Sequence, residues 1–189
     1  MSVRHLSTHE IEAGLDEIKQ SPKDEGVLQL IVRRPRIGAR EILDEAELDT
    51  TAGLVGDSWS QRKSSRTADG LPHPDMQLNV MNTRAIALLA QTEDRWPLAG
   101  DQLFIDLDLS EHNLPAGTPL ALGTAVIEVT SQPHTGCGKF AERFGADAMQ
   151  WVNSATGRSL RMRGLNAKVV RAGRIRAGDV VRKIIGAES

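Results

Sequence analysis

Residues 125–140 read AVIEVTSQPHTGCGKF and form the most informative segment of this 189-residue chain. The first six residues are rich in strand formers and predict a β-strand. The polar residues that follow, with a proline and two glycines, predict a loop. Phe140 and Phe144 lie one helical turn apart, which predicts a helix that Gly145 ends. Cys137 is therefore expected on a loop, at the N-terminus of a helix.

Cys137 is the only cysteine of the chain and the leading candidate for chemistry. Unpaired backbone N–H groups at a helix N-terminus stabilise an anion, and Lys139 adds positive charge, so this position favours the thiolate. A lone cysteine is more often a small buried hydrophobe, but here the neighbours are glycine, lysine and threonine. His134 is close enough in sequence to accept the thiol proton, although a surface histidine in a proline-containing loop fits at least as well.

Upstream of this segment, the sequence predicts a long loop followed by a strand-to-helix step. Residues 58–74 are polar and have little strand or helix signal, which is typical of a mobile or functional loop. Residues 76–80 alternate like a strand, and Asn82 is a suitable N-cap for a helix over residues 83–90. The loop is expected to be mobile alone and stiffer when a phosphate-bearing ligand pairs with its basic residues.

The fold class follows from short strands spread over most of the chain. A capping box at residues 7–10 predicts a short helix, in an N-terminal helical extension over residues 1–25. Strands are predicted at residues 27–32, 103–107, 119–122, 125–130, 168–171 and 180–185. This spacing favours an α+β, β-rich class with a barrel or rolled sheet and peripheral helices, rather than a doubly wound fold.

Composition excludes several function classes. The 23 basic and 25 acidic side chains give a net charge of −2, and aromatic residues make up only 3% of the chain, so a nucleic-acid binder is not expected. A single cysteine cannot form an intrachain disulfide, and no apolar run is long enough to cross a bilayer. A soluble cytoplasmic protein that does not bind membranes is expected.

Five short segments, with Cys137 inside one of them, have the order and spacing of a known family. They are Gly53-Leu54-Val55-Gly56-Asp57, Gln77-Leu78-Asn79-Val80, Pro133-His134-Thr135-Gly136-Cys137-Gly138-Lys139, Arg163-Gly164 and Gly173-Arg174-Ile175-Arg176-Ala177-Gly178-Asp179. With this set the sequence resembles the MOSC family, named for the C-terminal domain of molybdenum cofactor sulfurase. The resemblance covers roughly residues 26–185, assigns residues 26–186 to a MOSC domain, and implies a barrel-like fold.

The resemblance also implies a cofactor and a role for the cysteine. The cofactor would be the molybdenum cofactor (molybdopterin), and Cys137 would either carry sulfur as a persulfide or ligate molybdenum, with His134 and Lys139 as further catalytic candidates. A phosphate-bearing pterin needs cationic anchors, although a solvated charged loop is the plainer interpretation of any single basic residue. The candidate anchors are Arg62, Lys63, Arg66, Arg161 and Arg163. Sulfur transfer, catalytic activity and pyridoxal phosphate binding are further family expectations, and a cysteine desulfurase or a redox protein is the expected partner.

Three functions remain open from the sequence. Sulfur carriage or molybdenum binding by Cys137 is favoured, and a molybdenum-dependent reductase of small N-hydroxylated substrates is the enzymatic alternative. A non-catalytic ligand-binding or scaffold module is the third, because two segments depart from the family pattern. Family members often have Gly-Asp-Arg-His in place of Gly56-Asp57-Ser58-Trp59, and Gly-Glu-Asn-Leu in place of Gly100-Asp101-Gln102-Leu103.

Overall fold

Seven β-strands pair side by side until the last meets the first, so that the sheet closes into a barrel. The computed structural model describes residues 4–186. The strands in chain order are β1 (Glu25–Arg33), β2 (Glu41–Leu43), β3 (Glu45–Asp49), β4 (Gly53–Leu54), β5 (Leu78–Asn82), β6 (Leu103–Asp106), β7 (Pro119–Leu122), β8 (Ala125–Val129), β9 (Leu165–Arg171), β10 (Gly173–Arg176) and β11 (Val180–Lys183). The predicted α+β, barrel-like fold is confirmed.

Around the barrel the strands follow the order β1, β11, β7, β8, β9, β5, β6 and back to β1. Every pair is antiparallel except β5 with β6. A parallel pair needs a crossover connection, and the helix Thr83–Ala90 lies within it. Asn82 caps this helix by accepting a hydrogen bond from the Ala85 amide, as the sequence predicted.

A second, three-stranded sheet with the order β10-β3-β4 lies beside the barrel, and β2 extends the edge of β1. These four strands are absent from the strands that the sequence predicted. Along β3, buried Ala46 and Leu48 alternate with acidic residues, which is the period of a half-buried strand. The strands were overlooked because they are short and rich in charge.

Within residues 4–186, six α-helices pack outside the barrel. They are α1 (Thr8–Ala13), α2 (Leu15–Lys19), α3 (Thr83–Ala90), α4 (Gly138–Phe144), α5 (Ala146–Val152) and α6 (Ala155–Ser159), and 3-10 turns occupy Ser58–Gln61, Pro74–Met76 and Glu93–Ala99. The capping box at Ser7 is confirmed, but Gly14 divides the single predicted helix into α1 and α2. No helix among the described residues combines the length and apolar character that a membrane span requires.

Alternation along the strands separates two apolar clusters. Val80 and Leu103 belong to a cluster formed by the buried strand residues of one face, which is the barrel interior. Their neighbours Met81 and Phe104 point the other way and pack with residues of α1 to α5. Phe140 of α4 belongs to this outer cluster. The barrel wall is therefore apolar on both sides, and it fixes α4 and its N-terminal cysteine against the sheet.

Candidate functional site

A pocket of about 890 Å³ is lined by eight basic side chains, and no described residue contributes a carboxylate to its lining. We call it the basic pocket. Its walls come from the chain after β1, the 3-10 turn after Asp57, β5 and α4. The lining residues are Arg34, Arg36, Ile37, Gly38, Arg40, Ser58, Gln61, Arg62, Lys63, Asn79, Gly100, Lys139, Arg143 and Arg163. Four predicted site residues are among them: Arg62, Lys63, Lys139 and Arg163.

The guanidinium groups of the basic pocket repel one another. Burial lowers the pKa of Arg40, and the charges of Arg143 and Arg34 lower it further. Burial and the charges of Arg34 and Arg40 also lower the pKa of Arg62, whose guanidinium donates to the Ser58 hydroxyl. An anion in the pocket would relieve this repulsion, so the arrangement favours binding of a negatively charged group.

Arg34 lines the pocket with a guanidinium in which every nitrogen has a protein acceptor. Its Nε and Nη2 donate to the two carboxylate oxygens of Asp57 at 2.9 Å. Its Nη1 donates to Asn79 Oδ1 at 3.1 Å and to the Gly100 carbonyl at 2.8 Å. Asp57 also accepts the backbone amides of Arg34 and Trp59, so this buried pair fixes both the end of β1 and the following 3-10 turn.

Arg163 is the second buried arginine of the pocket, and it keeps one donor free. Its Nη1 donates to Asp101 at 2.7 Å, its Nη2 donates to the Ala99 carbonyl at 2.9 Å, and its guanidinium lies 4.9 Å from the centre of the Phe140 ring. Its Nε is buried and has no hydrogen-bond partner among residues 4–186. A buried donor left unpaired in this way needs a water or ligand acceptor.

His134 is held by Asp101 and is not a surface residue. Its Nε2 lies 2.8 Å from Asp101 Oδ1, and only 12% of its side chain is exposed. Burial lowers the pKa of His134, and the charge of Arg163 lowers it further. Burial alone would raise the pKa of Asp101, but the charges and hydrogen bonds of Arg163 and His134 lower it to about 2. At neutral pH, a neutral His134 therefore donates Nε2–H to ionised Asp101 and keeps Nδ1 as an acceptor.

Cys137 is exposed and occupies the N-cap position of α4, so it lies where the sequence placed it. Residues 131–137, the cysteine loop, are fixed from behind by Asn153. The Asn153 amide accepts from the Gly136 N–H and donates to the Gly136 carbonyl, both at 2.9 Å. A side chain at position 136 would meet Val152 at 2.9 Å, so glycine is needed there. Lys139, one residue beyond Gly138, lines the basic pocket.

Two predicted anchors lie outside the basic pocket. Arg66 is exposed, and its Nη1 lies 3.4 Å from the Pro133 carbonyl, so it links the loop of residues 58–74 to the cysteine loop. Arg161 donates to the carbonyls of Leu114 at 2.6 Å and Leu109 at 3.2 Å. Through these two hydrogen bonds of its Nη1, Arg161 fixes the chain after β6. It lines a small separate chamber that His134 also borders.

Sequence reasoning missed several residues of this site. Arg34 was not singled out, and Asp101 was named only within a departure from the family pattern. Arg40, Arg143 and Asn153 carried no signal of their own. The pairing of Arg34 with Asp57 across 23 positions depends on the packing of separate segments, which strand propensity does not show.

Comparison with known proteins identifies the family. Residues 71–182, more than half of the chain, match the MOSC domain. The chain belongs to the MOSC domain family. Solved structures with the same fold include the YuaD protein of Bacillus subtilis, at 16% identity and a TM-score of 0.59, with 83% of this chain and 94% of that chain covered. YiiM of Escherichia coli has 21% identity and a TM-score of 0.54, with 86% and 72% covered.

These structural likenesses concern the fold, because the identities are low. YiiM of Geobacillus stearothermophilus gives a similar result, with 17% identity, a TM-score of 0.53, and 86% of this chain and 74% of that chain covered. No curated protein matches the sequence at a significant level. MOSC domains are associated with binding of the molybdenum cofactor. In this MOSC domain, the cations that line the basic pocket fit the phosphate of such a cofactor.

Proposed function

We propose that this MOSC protein binds the phosphate-bearing pterin of the molybdenum cofactor in the basic pocket, and that Cys137 is its reactive group. The observation that carries the proposal is an exposed thiol at the start of α4, two residues from a lysine that lines a pocket of eight cations. Guanidinium groups bind phosphate through charge-assisted hydrogen bonds, each worth roughly 1.5–3 kcal/mol.

Different residues of the site bind the phosphate, keep the pocket rigid and position other side chains. Arg163, Arg62 and Lys63 bind the phosphate, and Arg34 with its partner Asp57 keeps the floor of the pocket rigid. Asp101 positions both Arg163 and His134. When bound, the cofactor would supply molybdenum redox chemistry and a site that accepts sulfur. No cluster of three His, Cys, Asp or Glu side chains that could hold a metal occurs in the described part of the chain. Cys137 is therefore the protein ligand that we assign to molybdenum.

Sulfur transfer to Cys137 is chemically complete without a metal. The His134 Nδ1 takes the thiol proton, and the Cys137 sulfur attacks the outer sulfur of a persulfide on a donor protein such as a cysteine desulfurase. The donor S–S bond breaks, a new S–S bond forms on Cys137, and the donor leaves as a thiolate that takes up a proton. No oxidant or reductant is consumed, because one persulfide is exchanged for another.

Molybdenum ligation by Cys137 is the other form of the proposal, and reduction of small N-hydroxylated substrates would follow from it. The departures from the family pattern do not argue for an inert module. Asp101 forms the base of the His134 and Arg163 cluster, and the Ser58 hydroxyl accepts from Arg62. Both departures thus contribute to the site. Binding of pyridoxal phosphate remains a family expectation, as does a cysteine desulfurase or redox partner.

One experiment tests sulfur carriage. The protein is incubated with a cysteine desulfurase and cysteine, and its intact mass is measured. We expect the wild type to gain the mass of one sulfur atom and Cys137→Ser to gain none. Equal gains in both proteins would contradict the role of Cys137.

Elemental analysis of natively purified protein tests the metal form. Molybdenum in the wild type that is lost in Cys137→Ser supports ligation. Retention of molybdenum by that variant contradicts ligation. The serine variant is a suitable control, since an exposed thiol contributes little to packing and the free energy of unfolding should change by less than about 0.5 kcal/mol.

A further inference from the structure

The basic pocket opens beside a smaller cavity of different chemistry. This side chamber has a volume of about 150 Å³ and shares Arg34, Arg62, Lys63 and Asn79 with the basic pocket. Its remaining lining residues are Trp59, Ser64, Pro72, His73 and Met76. Because four residues border both cavities, the side chamber lies directly beside the basic pocket.

The side chamber has the lining that flat heterocycles prefer. An indole, a proline ring and a thioether present apolar surfaces, while Asn79, Ser64 and His73 place polar groups among them. Stacking of a base on an aromatic side chain is sequence-tolerant because every base has a π-face. The volume is large enough for one bicyclic ring, and the phosphate of the ligand would lie among the cations next door.

The chamber is organised before any ligand binds. Asp57 Oδ1 accepts the Trp59 amide at 2.9 Å, which fixes the 3-10 turn that carries the indole. The Asn79 amide donates to Asn166 Oδ1 at 2.7 Å and accepts from Arg34. His73 Nδ1 accepts the Asp75 amide at 3.1 Å. A preformed chamber reduces the entropy that a bound ring would cost.

We propose that the side chamber is a ring subsite, in which Trp59 stacks on a guanine-like bicyclic heterocycle whose phosphate lies in the basic pocket. This inference rests on the proposed function and adds how the ring is recognised. A pterin and a guanine share the amino-oxo-pyrimidine ring and its hydrogen-bonding edge, so either a pterin phosphate or a guanine nucleotide would satisfy the chamber.

Calorimetric titration with four probes tests the subsite: inorganic phosphate, ribose 5-phosphate, guanosine monophosphate and a pterin phosphate. We expect the two ring-bearing probes to bind at least tenfold more tightly than ribose 5-phosphate. The tighter of the two identifies the source of the ring. In Trp59→Ala the ring-dependent gain should disappear while ribose 5-phosphate binding is unchanged. Trp59→Phe should keep most of the gain, and Trp151→Phe, a buried tryptophan outside the chamber, should keep all of it.

Different results of this titration would contradict the ring subsite and the proposed function. Equal affinity for ribose 5-phosphate and the ring-bearing probes would overturn the ring subsite and leave the phosphate site intact. Absence of binding by all four probes would overturn the proposed function itself. If Trp59→Ala does not fold, the wild-type comparison of probes, together with Trp59→Phe, still decides between these outcomes.

Discussion

Arg34 and Arg163 occupy equivalent positions in the basic pocket, but their guanidinium nitrogens differ in how many have a hydrogen-bond partner in the protein. Each is buried, and each forms an ion pair with a fully buried carboxylate, Asp57 or Asp101. Every nitrogen of the Arg34 guanidinium has a protein acceptor, whereas the Nε of Arg163 has none among the described residues. Arg34 therefore stabilises the fold, and Arg163 keeps hydrogen-bonding capacity for a ligand.

The carboxylates differ in the same way. Asp57 accepts hydrogen bonds from the Arg34 guanidinium and from the backbone amides of Arg34 and Trp59, the second of which belongs to the 3-10 turn. Asp101 instead joins Arg163 to His134, two side chains from different segments that both border functional cavities. An ion pair of the first kind makes the pocket rigid, and one of the second kind sets the orientation of His134 and Arg163.

The largest effect is expected from breaking the structural pair. Asp57→Ala leaves the buried Arg34 charge without its partner and removes the acceptor of the Trp59 amide. Loss of one member of a buried pair costs about 3–5 kcal/mol. We expect the free energy of unfolding in urea to fall by that amount. Asp16→Ala, at an exposed site on α2, is the control and should change it by less than about 0.5 kcal/mol. A loss below about 1 kcal/mol for Asp57→Ala would show that Arg34 does not depend on this pair.

The free energy of unfolding at low pH tests the role of Asp101, because the pKa of this residue is lowered to about 2. A carboxylate with a lowered folded-state pKa stabilises the protein above its unfolded pKa, near 3.9, and this stability is lost as the pH falls toward 2. The loss amounts to about 2 kcal/mol. The pKa of His134 is also lowered, so stability should already begin to fall as the pH drops below about 6.5.

The variant Asp101→Asn isolates the carboxylate contribution. We expect its unfolding free energy to change less than that of the wild type between pH 4 and pH 2, when both are measured by urea denaturation. Parallel curves for the two proteins over this interval would mean that Asp101 is not held in its ionised form by Arg163 and His134.

Replacing each arginine by lysine separates ligand binding from stability. Lysine keeps the charge but lacks Nε and the planar fork. Arg163→Lys should weaken phosphate binding about tenfold, because it removes the free donor, and Arg34→Lys should weaken it less than threefold. Arg34→Lys should lose more stability, since four hydrogen bonds to protein acceptors depend on its geometry. The reverse order of phosphate affinities, measured by calorimetry, would exchange the two roles.

Local signals in the sequence were sufficient for the barrel and for the position of the cysteine. Asn82 begins α3 and Gly145 ends α4, as their capping chemistry predicts, and strand-forming residues predicted β7 and β8. The helix start at Cys137 needed only two glycines and the phenylalanine spacing. Such features depend on neighbours a few residues away, so the order of residues already contains them.

The partners within the site were not predictable in this way. Arg34 meets Asp57 and Arg163 meets Asp101 across 23 and 62 positions, and tertiary packing brings these distant segments together. For the same reason the tautomer of His134 was open, because its carboxylate lies 33 positions away. Arg161 was proposed as an anchor by charge alone, and the carbonyls that its Nη1 meets lie about 50 positions away, so they gave no signal in the sequence.

In the proposed function, Cys137 and the basic pocket are parts of one site. The rate of alkylation of Cys137 tests this directly. The chain has one cysteine, so the rates of reaction with neutral iodoacetamide and anionic iodoacetate report on Cys137 alone. Positive charge within about 10 Å at 0.1 M salt attracts the anionic reagent. We predict an iodoacetate to iodoacetamide rate ratio several-fold above that of N-acetylcysteine, which saturating phosphate or Lys139→Ala reduces. A ratio equal to that of N-acetylcysteine and insensitive to phosphate would contradict a shared site.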